Sequence, residues 1–270
     1  MTPSVRRPIR IGGASGGFTD RVAAISRLAS DPAVDAVVGD WLSENVMTGY
    51  GAGKVRQELS RPNATLEERK ATGMFASTFL QCFEPAIDNI VMNRTKVVVN
   101  AGASDTQLLA EVVQDMLQRR ECGDIKVAWV EGDDVTEPFK GMIREGHVFK
   151  SLTDGKTLEE WGYEPICAQA YLGSLGIAEA LRQGADIVIC GRYAPCYLPY
   201  LRDTSDLPLE CLMPLPRSDS PHGGTIGVQT NGTNSRALSL LATSSNAPSS
   251  SRVAITAASK SSWHRGSIST

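Results

Sequence analysis

The sequence predicts a doubly wound, mostly parallel α/β sheet over residues 8–192, followed by a disordered C-terminal tail. Three observations predict it. Short, almost wholly apolar runs alternate with stretches of helical period, the pattern of strands buried on both faces. Glycines, carboxylates and amides recur directly after those runs, where the loops of such a sheet gather. The composition then breaks: residues 1–200 hold 10 serines and residues 201–270 hold 15, while no acidic residue follows Asp219.

The elements follow in order. Ile9-Arg-Ile-Gly is a strand running into a glycine-rich turn. Phe18 to Leu28 has a helical period, and Asp31-Pro32 stops it. Val34 to Val38 is the second strand, which completes a β-α-β unit. Trp41 to Asn93 is helix-rich, with a polar break at Ser60-Arg-Pro-Asn and an apolar face over Met74, Phe75, Phe79, Leu80 and Phe83. Lys96-Val-Val-Val is a buried strand, and Thr106 to Arg119 is the strongest helix, with Ser104 or Asp105 as its N-cap. Ile125 to Val130 is the fourth strand, and residues 135–163 are irregular and polar. Ile166 to Ala170 reads as a fifth strand, Ser174–Arg182 as a helix and Ile187-Val-Ile-Cys as a sixth strand. The layering is Rossmann-like. Residues 1–7 are expected to be disordered, and so is the serine-rich stretch 193–270, which has too little amphipathic pattern to bury a core.

Several function classes are excluded. A net charge of -3 with no basic block argues against nucleic acid. No apolar run reaches the roughly 20 residues of a membrane span, and the N-terminus lacks the apolar stretch of a secretory signal. The six cysteines form no CxxC pair, so they read as reduced thiols and the compartment as cytoplasmic. The Asn-x-Thr triplets at Asn63, Asn93 and Asn231 are then chance matches. His147 is the one histidine of the globular part, too few for a multi-histidine zinc site. Cys167 and Cys190 fall in apolar strands and read as core thiols; Trp129 and the Phe75, Phe79, Phe83 series also read as core.

The candidate site lies at the strand ends. Gly12, Gly13, Ser15, Gly16 and Gly17 form a loop whose backbone N–H groups can hold an anion, or which is a plain strand-to-helix turn. It carries neither the dinucleotide-binding spacing nor a phosphate-loop lysine. Asp40 can hold a ribose, as an acid at this place does in nucleotide-binding folds, or cap a helix that starts near Leu42. Asn100, Gly102, Tyr171 and Arg192 stand at further strand ends as ligand-binding candidates. Asp133 and Asp134 are candidate Mg²⁺ ligands, and Glu131 and Asp133 are candidate acid–base groups.

These strand-end strings together resemble the acyclic terpene utilisation (AtuA-like) family. The matching pieces are Arg10-Ile-Gly-Gly-Ala-Ser-Gly-Gly-Phe18 with Asp20-Arg21, Val38-Gly-Asp-Trp-Leu-Ser-Glu44, Val97-Val-Val-Asn-Ala-Gly102 and Val130-Glu-Gly-Asp-Asp134. The most specific is Ala170-Tyr-Leu-Gly173 followed by Gly184-Ala-Asp-Ile-Val-Ile-Cys-Gly-Arg192. The resemblance implies catabolism of acyclic terpenoid or branched acyl metabolites, with an acyl or acyl-CoA thioester as ligand, and it names no reaction. A homo-oligomer or membership of a catabolic complex is compatible with it. Two other classes stay open: a non-catalytic subunit or scaffold of such a complex, and a nucleotide-dependent enzyme. Turnover by a full-length homologue separates the first from an enzyme, and binding of ATP or NAD would mark the second.

Family members continue past this point with strings resembling Gly-Arg-Val-Ser-Asp-Ala-Ser-Pro and then Trp-Trp-His-x-Trp, whereas here Tyr-Ala-Pro-Cys follows Arg192. Both strings are recoverable in one shifted frame. Glu210-Cys-Leu-Met-Pro-Leu-Pro216 can be encoded GAG TGT CTG ATG CCT CTC CC, which from its third base reads Val-Ser-Asp-Ala-Ser-Pro. Gly223-Gly-Thr-Ile-Gly227 is likewise compatible with Trp-Trp-His-Asn-Trp. The expectation is a truncated or mis-spliced product of a eukaryotic gene, with residues 193–209 a retained intron and the remainder out of frame. Transcript sequencing checks it: a spliced message should read Gly-Arg directly into Val-Ser-Asp-Ala-Ser-Pro, and a dominant message for the 270-residue form with a protease-resistant tail would overturn it.

Overall fold

The computed structural model describes residues 7–17, 21–151, 154–162 and 164–193, together with the backbone of three tail strands. The elements are β1 (Ile11–Ser15), α1 (Ala24–Ala29), β2 (Ala36–Gly39), α2 (Glu44–Ser60), α3 (Leu66–Thr72), α4 (Ser77–Phe83), a 3-10 turn (Glu84–Ala86), α5 (Ile87–Asn93), β3 (Lys96–Val99), α6 (Thr106–Arg119), β4 (Val127–Glu131), α7 (Thr136–Arg144), α8 (Leu158–Trp161), α9 (Leu175–Arg182) and β5 (Ile187–Cys190). The first five strands are all parallel, in the order β1-β2-β3-β5-β4.

That order fixes the layers. From β1 to β4 the chain moves across the sheet in one direction, so right-handed crossovers put the intervening helices on one face. Ile25 of α1, Phe79 and Phe83 of α4, Ile87 and Ile90 of α5 and Leu109, Val113 and Leu117 of α6 indeed share one core with Val37, Val97, Val99, Val127 and Ile189. β5 then returns to lie between β3 and β4. The step from β4 to β5 runs backwards, so α9 must cover the opposite face, where Ile177 and Ala180 pack on Val38, Val98, Ala128, Val130 and Val188. Each fully buried Leu, Ile, Val or Phe contributes roughly 1.5–3 kcal/mol.

Local chemistry sets the ends. Ser43 caps α2 by accepting from Val46 N. Thr65 with Glu68, and Thr157 with Glu160, form complete capping boxes at the starts of α3 and α8. After α9 the chain turns at Gly184, whose φ of 86° favours glycine, and Ala185 N returns to the Ala180 carbonyl. Asp186 next accepts from Lys96 Nζ at 2.8 Å and Lys126 N at 3.0 Å, which ties the amino ends of β3 and β4 to β5.

The structure corrects several sequence expectations. Residues 166–170 are not a strand: Ala168 and Ala170 bond instead to Val135 and Asp133, and Ile166 is exposed. The run has one β-branched residue and lies on a loop, so Cys167 is a half-buried loop thiol rather than a strand thiol. The stretch 135–163 is not wholly irregular, since it carries α7 and α8. α1 begins at Ala24 rather than Phe18, with residues 18–20 outside the described part. Asp105 stands at the N-cap position of α6, but its side chain is spent elsewhere: Met74 N donates to it at 2.7 Å and Lys54 Nζ lies at 3.3 Å.

In the tail, β6 (Thr225–Gln229) runs antiparallel along β4, and β7 (Leu238–Leu241) pairs with β8 (Arg252–Ile255). Residues 1–6 and 194–224, and the tail between and beyond these strands, lie outside the described residues. Among the described residues no helix is long and apolar enough to cross a membrane.

Gly102 joins the two halves of the winding. Its N–H donates to the Cys190 carbonyl at 3.0 Å, and an added Cβ would stand 2.7 Å from that carbonyl oxygen and 2.6 Å from Thr106 Oγ1. Gly102→Ala should therefore lower stability by about 1–3 kcal/mol, read as a lower urea midpoint. An unchanged midpoint would show that the end of β5 yields freely.

Candidate functional site

The reversal of winding leaves β5 between strands whose onward connections lie on opposite faces, the position where open α/β sheets form a crevice. Arg192 follows β5 there and is 7% exposed. Its backbone is held first: its N–H donates to Asp133 Oδ2 at 2.7 Å, and its carbonyl accepts from Leu172 N at 3.0 Å. The guanidinium then reaches across the strand ends. Nη1 donates to the Leu42 carbonyl, and Nη2 donates to Glu44 Oε1 at 2.7 Å and Tyr171 Oη at 2.8 Å. Its carbon lies 4.5 Å from the Tyr171 ring centre, and Asp40 Oδ1 is 3.9 Å from Nη1. Tyr171 Oη donates in turn to Glu44 Oε1. Glu44 is held below the usual carboxylate range by its own backbone N–H and by Arg192.

Behind this cluster stands Asn100, fully buried at the end of β3. Its Oδ1 accepts from Trp41 N at 2.6 Å, and its Nδ2 donates to Asp40 Oδ1. Asp40 Oδ1 also accepts from Leu42 N at 3.1 Å. That is a turn contact and not a helix cap, because α2 starts at Glu44 and Ser43 caps it. Ser15 Oγ donates to the Asp40 carbonyl at 3.1 Å, which joins the glycine loop to the same network.

The expected loop over 12–17 is corrected by the structure: Gly12, Gly13 and Ser15 lie in β1, paired with β2, and only Gly16 and Gly17 follow the strand. Gly12 is a packing glycine, since a Cβ there would stand 2.7 Å from the Leu28 side chain. At Gly13, Gly16 and Gly17 a Cβ would meet nothing within 4 Å, and the Gly17 N–H donates to Ser15 Oγ at 3.3 Å. Gly102 lies below the cluster and is closed by Thr106 and Cys190.

The three acidic candidates separate. Glu131 Oε1 accepts from Gln107 N at 3.2 Å at the start of α6. Asp134 Oδ1 accepts from Thr136 N at 3.0 Å. Asp133 is 5% exposed, and its carboxyl occupies the space a side chain at residue 191 would need, 2.4 Å from an ideal Cβ on Gly191. Burial pushes the Asp133 carboxyl up to about 7, against the Arg192 N–H that favours its charged form; Glu131 and Asp134 add to the rise. Such a group titrates where a general acid or base works best. Among the described residues no group of three or more His, Cys, Asp or Glu is placed to hold a metal ion.

The structure thus gathers Ser15, Asp40, Asn100, Asp133, Tyr171 and Arg192, and leaves Glu131 and Asp134 on separate contacts. Glu44 belongs with the gathered group although it was not among the site candidates. The sequence signal for it was its place in the strand-end string with Asp40, and only the fold brings it onto Arg192 and Tyr171. Lys54, outside the gathered group, donates to the Ser104 carbonyl at 2.6 Å in the turn between β3 and α6. Gln169 bonds to Ser104 Oγ at 3.3 Å and stands on the loop taken for a strand.

Asp133 makes stability depend on pH. Its folded value of about 7 lies above the ordinary 3.8, so the folded state keeps a proton that the unfolded state has lost between those values. Stability therefore falls as pH rises through that window, by at most roughly 4 kcal/mol for the whole shift. Urea unfolding at several pH values should show wild type losing stability up to pH ~7.5 and Asp133→Asn losing less. Parallel curves for the two would show that Asp133 is ionised already in the acid range.

No curated protein and no solved structure matches the chain. A family described as acyclic terpene utilisation family protein AtuA matches residues 9–196, a span that holds every residue of the gathered cluster. The chain belongs to the acyclic terpene utilisation family AtuA.

Proposed function

We propose that the chain binds an acyl metabolite of the acyclic or branched kind, as a free acid or an acyl-CoA thioester, at the carboxyl ends of β1, β2, β3 and β5, in a catabolic step. The observation that carries the reading is a buried cation at the strand ends, Arg192, whose surroundings reach the glycine-rich segment through Asp40 and Ser15. A buried guanidinium favours anionic groups such as phosphate or carboxylate. Asp133, with a carboxyl near neutrality, is the group suited to move a proton there.

Thermal shift with octanoyl-CoA, free CoA, ATP and NAD tests the reading. Octanoyl-CoA should raise the melting temperature in a concentration-dependent way; at a hundred times Kd the stabilisation is about 2.7 kcal/mol. Gly16→Val has room for its side chain, so its unliganded melting temperature should stay close to wild type while the response to octanoyl-CoA disappears. An equal response in Gly16→Val would return the loop to a plain turn, and a response to ATP or NAD alone would replace the acyl reading by a nucleotide one.

A further inference from the structure

The geometry points to a carboxylate clamp made by Arg192 and Tyr171, which Glu44 occupies in place of a ligand carboxylate. The inference rests on the reading above in placing the ligand at the strand ends, and goes further in naming the group recognised and the residue it displaces.

The two donors are of one kind with a carboxylate site. Arg192 Nη2 and Tyr171 Oη both donate to the same oxygen, Glu44 Oε1, and Nη2 also donates to Tyr171 Oη, so the three polar groups close a ring. A guanidinium with a phenol hydroxyl matches a planar monoanion. The burial of the partners is unequal. The Arg192 side chain is held on its inner side by the Leu42 carbonyl and by the Tyr171 ring, whereas the Glu44 side chain is 73% exposed. A buried cation that meets an exposed carboxylate is the arrangement of a site with a removable occupant: Glu44 can swing into water at little cost, while Arg192 cannot follow it. Arg192 Nε adds an independent sign, since it is buried and has no hydrogen-bond partner. A native guanidinium rarely leaves such a donor unmet.

The charge around the clamp selects a monoanion over a phosphate dianion. Asp40 lies 3.9 Å from Arg192 Nη1, so the guanidinium already faces a second carboxylate besides Glu44. Replacing the Glu44 carboxylate with another carboxylate leaves the charge unchanged, whereas a dianion adds one negative charge beside Asp40. Tyr171, half-exposed and stacked on the guanidinium, offers apolar ring surface to whatever carries that carboxylate.

A self-occupied site lowers apparent affinity by the fraction that is open. Octanoate is the probe, with inorganic phosphate beside it, titrated by calorimetry into the full chain. Glu44→Ala, and independently the isosteric Glu44→Gln, should bind octanoate about three- to tenfold more tightly than wild type. Arg192→Lys in the Glu44→Ala background should lose that gain. Equal octanoate affinity in wild type and both Glu44 variants would overturn the proposal, and so would a gain for phosphate that exceeds the gain for octanoate. Octanoyl-CoA stabilisation of the wild type, measured in parallel, keeps the two readings apart. If it persists while the Glu44 variants gain nothing, the clamp is wrong and the acyl-CoA crevice stands. If it is absent while they gain octanoate, the clamp stands and the thioester reading falls.

Discussion

Burying one guanidinium organises this molecule. Taking an arginine out of water costs several kcal/mol unless its donors are met by well-placed partners. Arg192 meets most of that demand with groups from two parts of the chain, the segment of Asp40, the Leu42 carbonyl and Glu44 that leads from β2 into α2, and Tyr171 before α9, while a third, Asp133 after β4, holds its backbone N–H. None of these lies near Arg192 in sequence. They meet because β5 is inserted between β3 and β4, which carries residue 192 to the middle of the strand ends. If β5 had been added at the sheet edge, the same arginine would face solvent. The order of the strands and the burial of the arginine are therefore one constraint seen at two scales.

Glycine makes the convergence sterically possible. Gly191 leaves the volume that the Asp133 carboxyl fills, and Gly102 lets the turn after β3 touch the Cys190 carbonyl. Gly39 has the Trp41 ring where its Cβ would be, 2.1 Å away, so the ring closes over the end of β2 and presents its backbone N–H to Asn100. Each substitution of these glycines would push one strand end away from the others. The glycines of the family strings at 39, 102 and 191 thus serve close packing under the crevice, while at 13, 16 and 17 a Cβ would meet nothing within 4 Å.

Much of this was legible in the sequence, and the misses have physical causes. Buried parallel strands are continuous apolar runs, so β2 to β5 stand out, whereas β1 is the glycine-rich edge strand Ile11–Ser15, most of which reads as a turn; α6 is delimited to the residue because its apolar face is wide and continuous. The run 166–170 misled because small apolar residues satisfy a hydrophobicity test without the β-branched shape that suits a pleated surface. α3 buries no residue, so a search for apolar period has little to find there, whereas α7 does keep Phe139, Met142 and Ile143 at helical spacing and is masked in the sequence by Pro138 and Gly141. The Thr-x-x-Glu strings at Thr65 and Thr157 were the available signal for α3 and α8. At the site, residue types placed at strand ends pointed to Asp40, Asn100, Asp133 and Arg192, while Tyr171 was reached through the run 166–170, which is not a strand. Which of them touch depends on strand order, which one chain's hydrophobic pattern does not encode. Glu44 illustrates this: on its own helix it is an ordinary first-turn acid, and only the position of β5 makes it a partner of Arg192.

The protonation of Asp133 bears on how the cluster treats charge. With Asp133 neutral below about pH 7, Asp40 and Glu44 face one guanidinium, so the group carries an excess of one negative charge even before a ligand arrives. An incoming anion cannot simply be added to such a group in a partly dehydrated crevice, where Coulomb terms are several times their value in water. It must take the place of a carboxylate already there or arrive with a proton. Asp40 is unsuited to leave, since its Oδ1 is bonded by both Asn100 and the Leu42 N–H. Asp133 is wedged under Gly191. Glu44 alone of the three is exposed, in the first turn of α2. The burial pattern by itself therefore singles out which carboxylate yields to a ligand, and it does so without reference to what the ligand is.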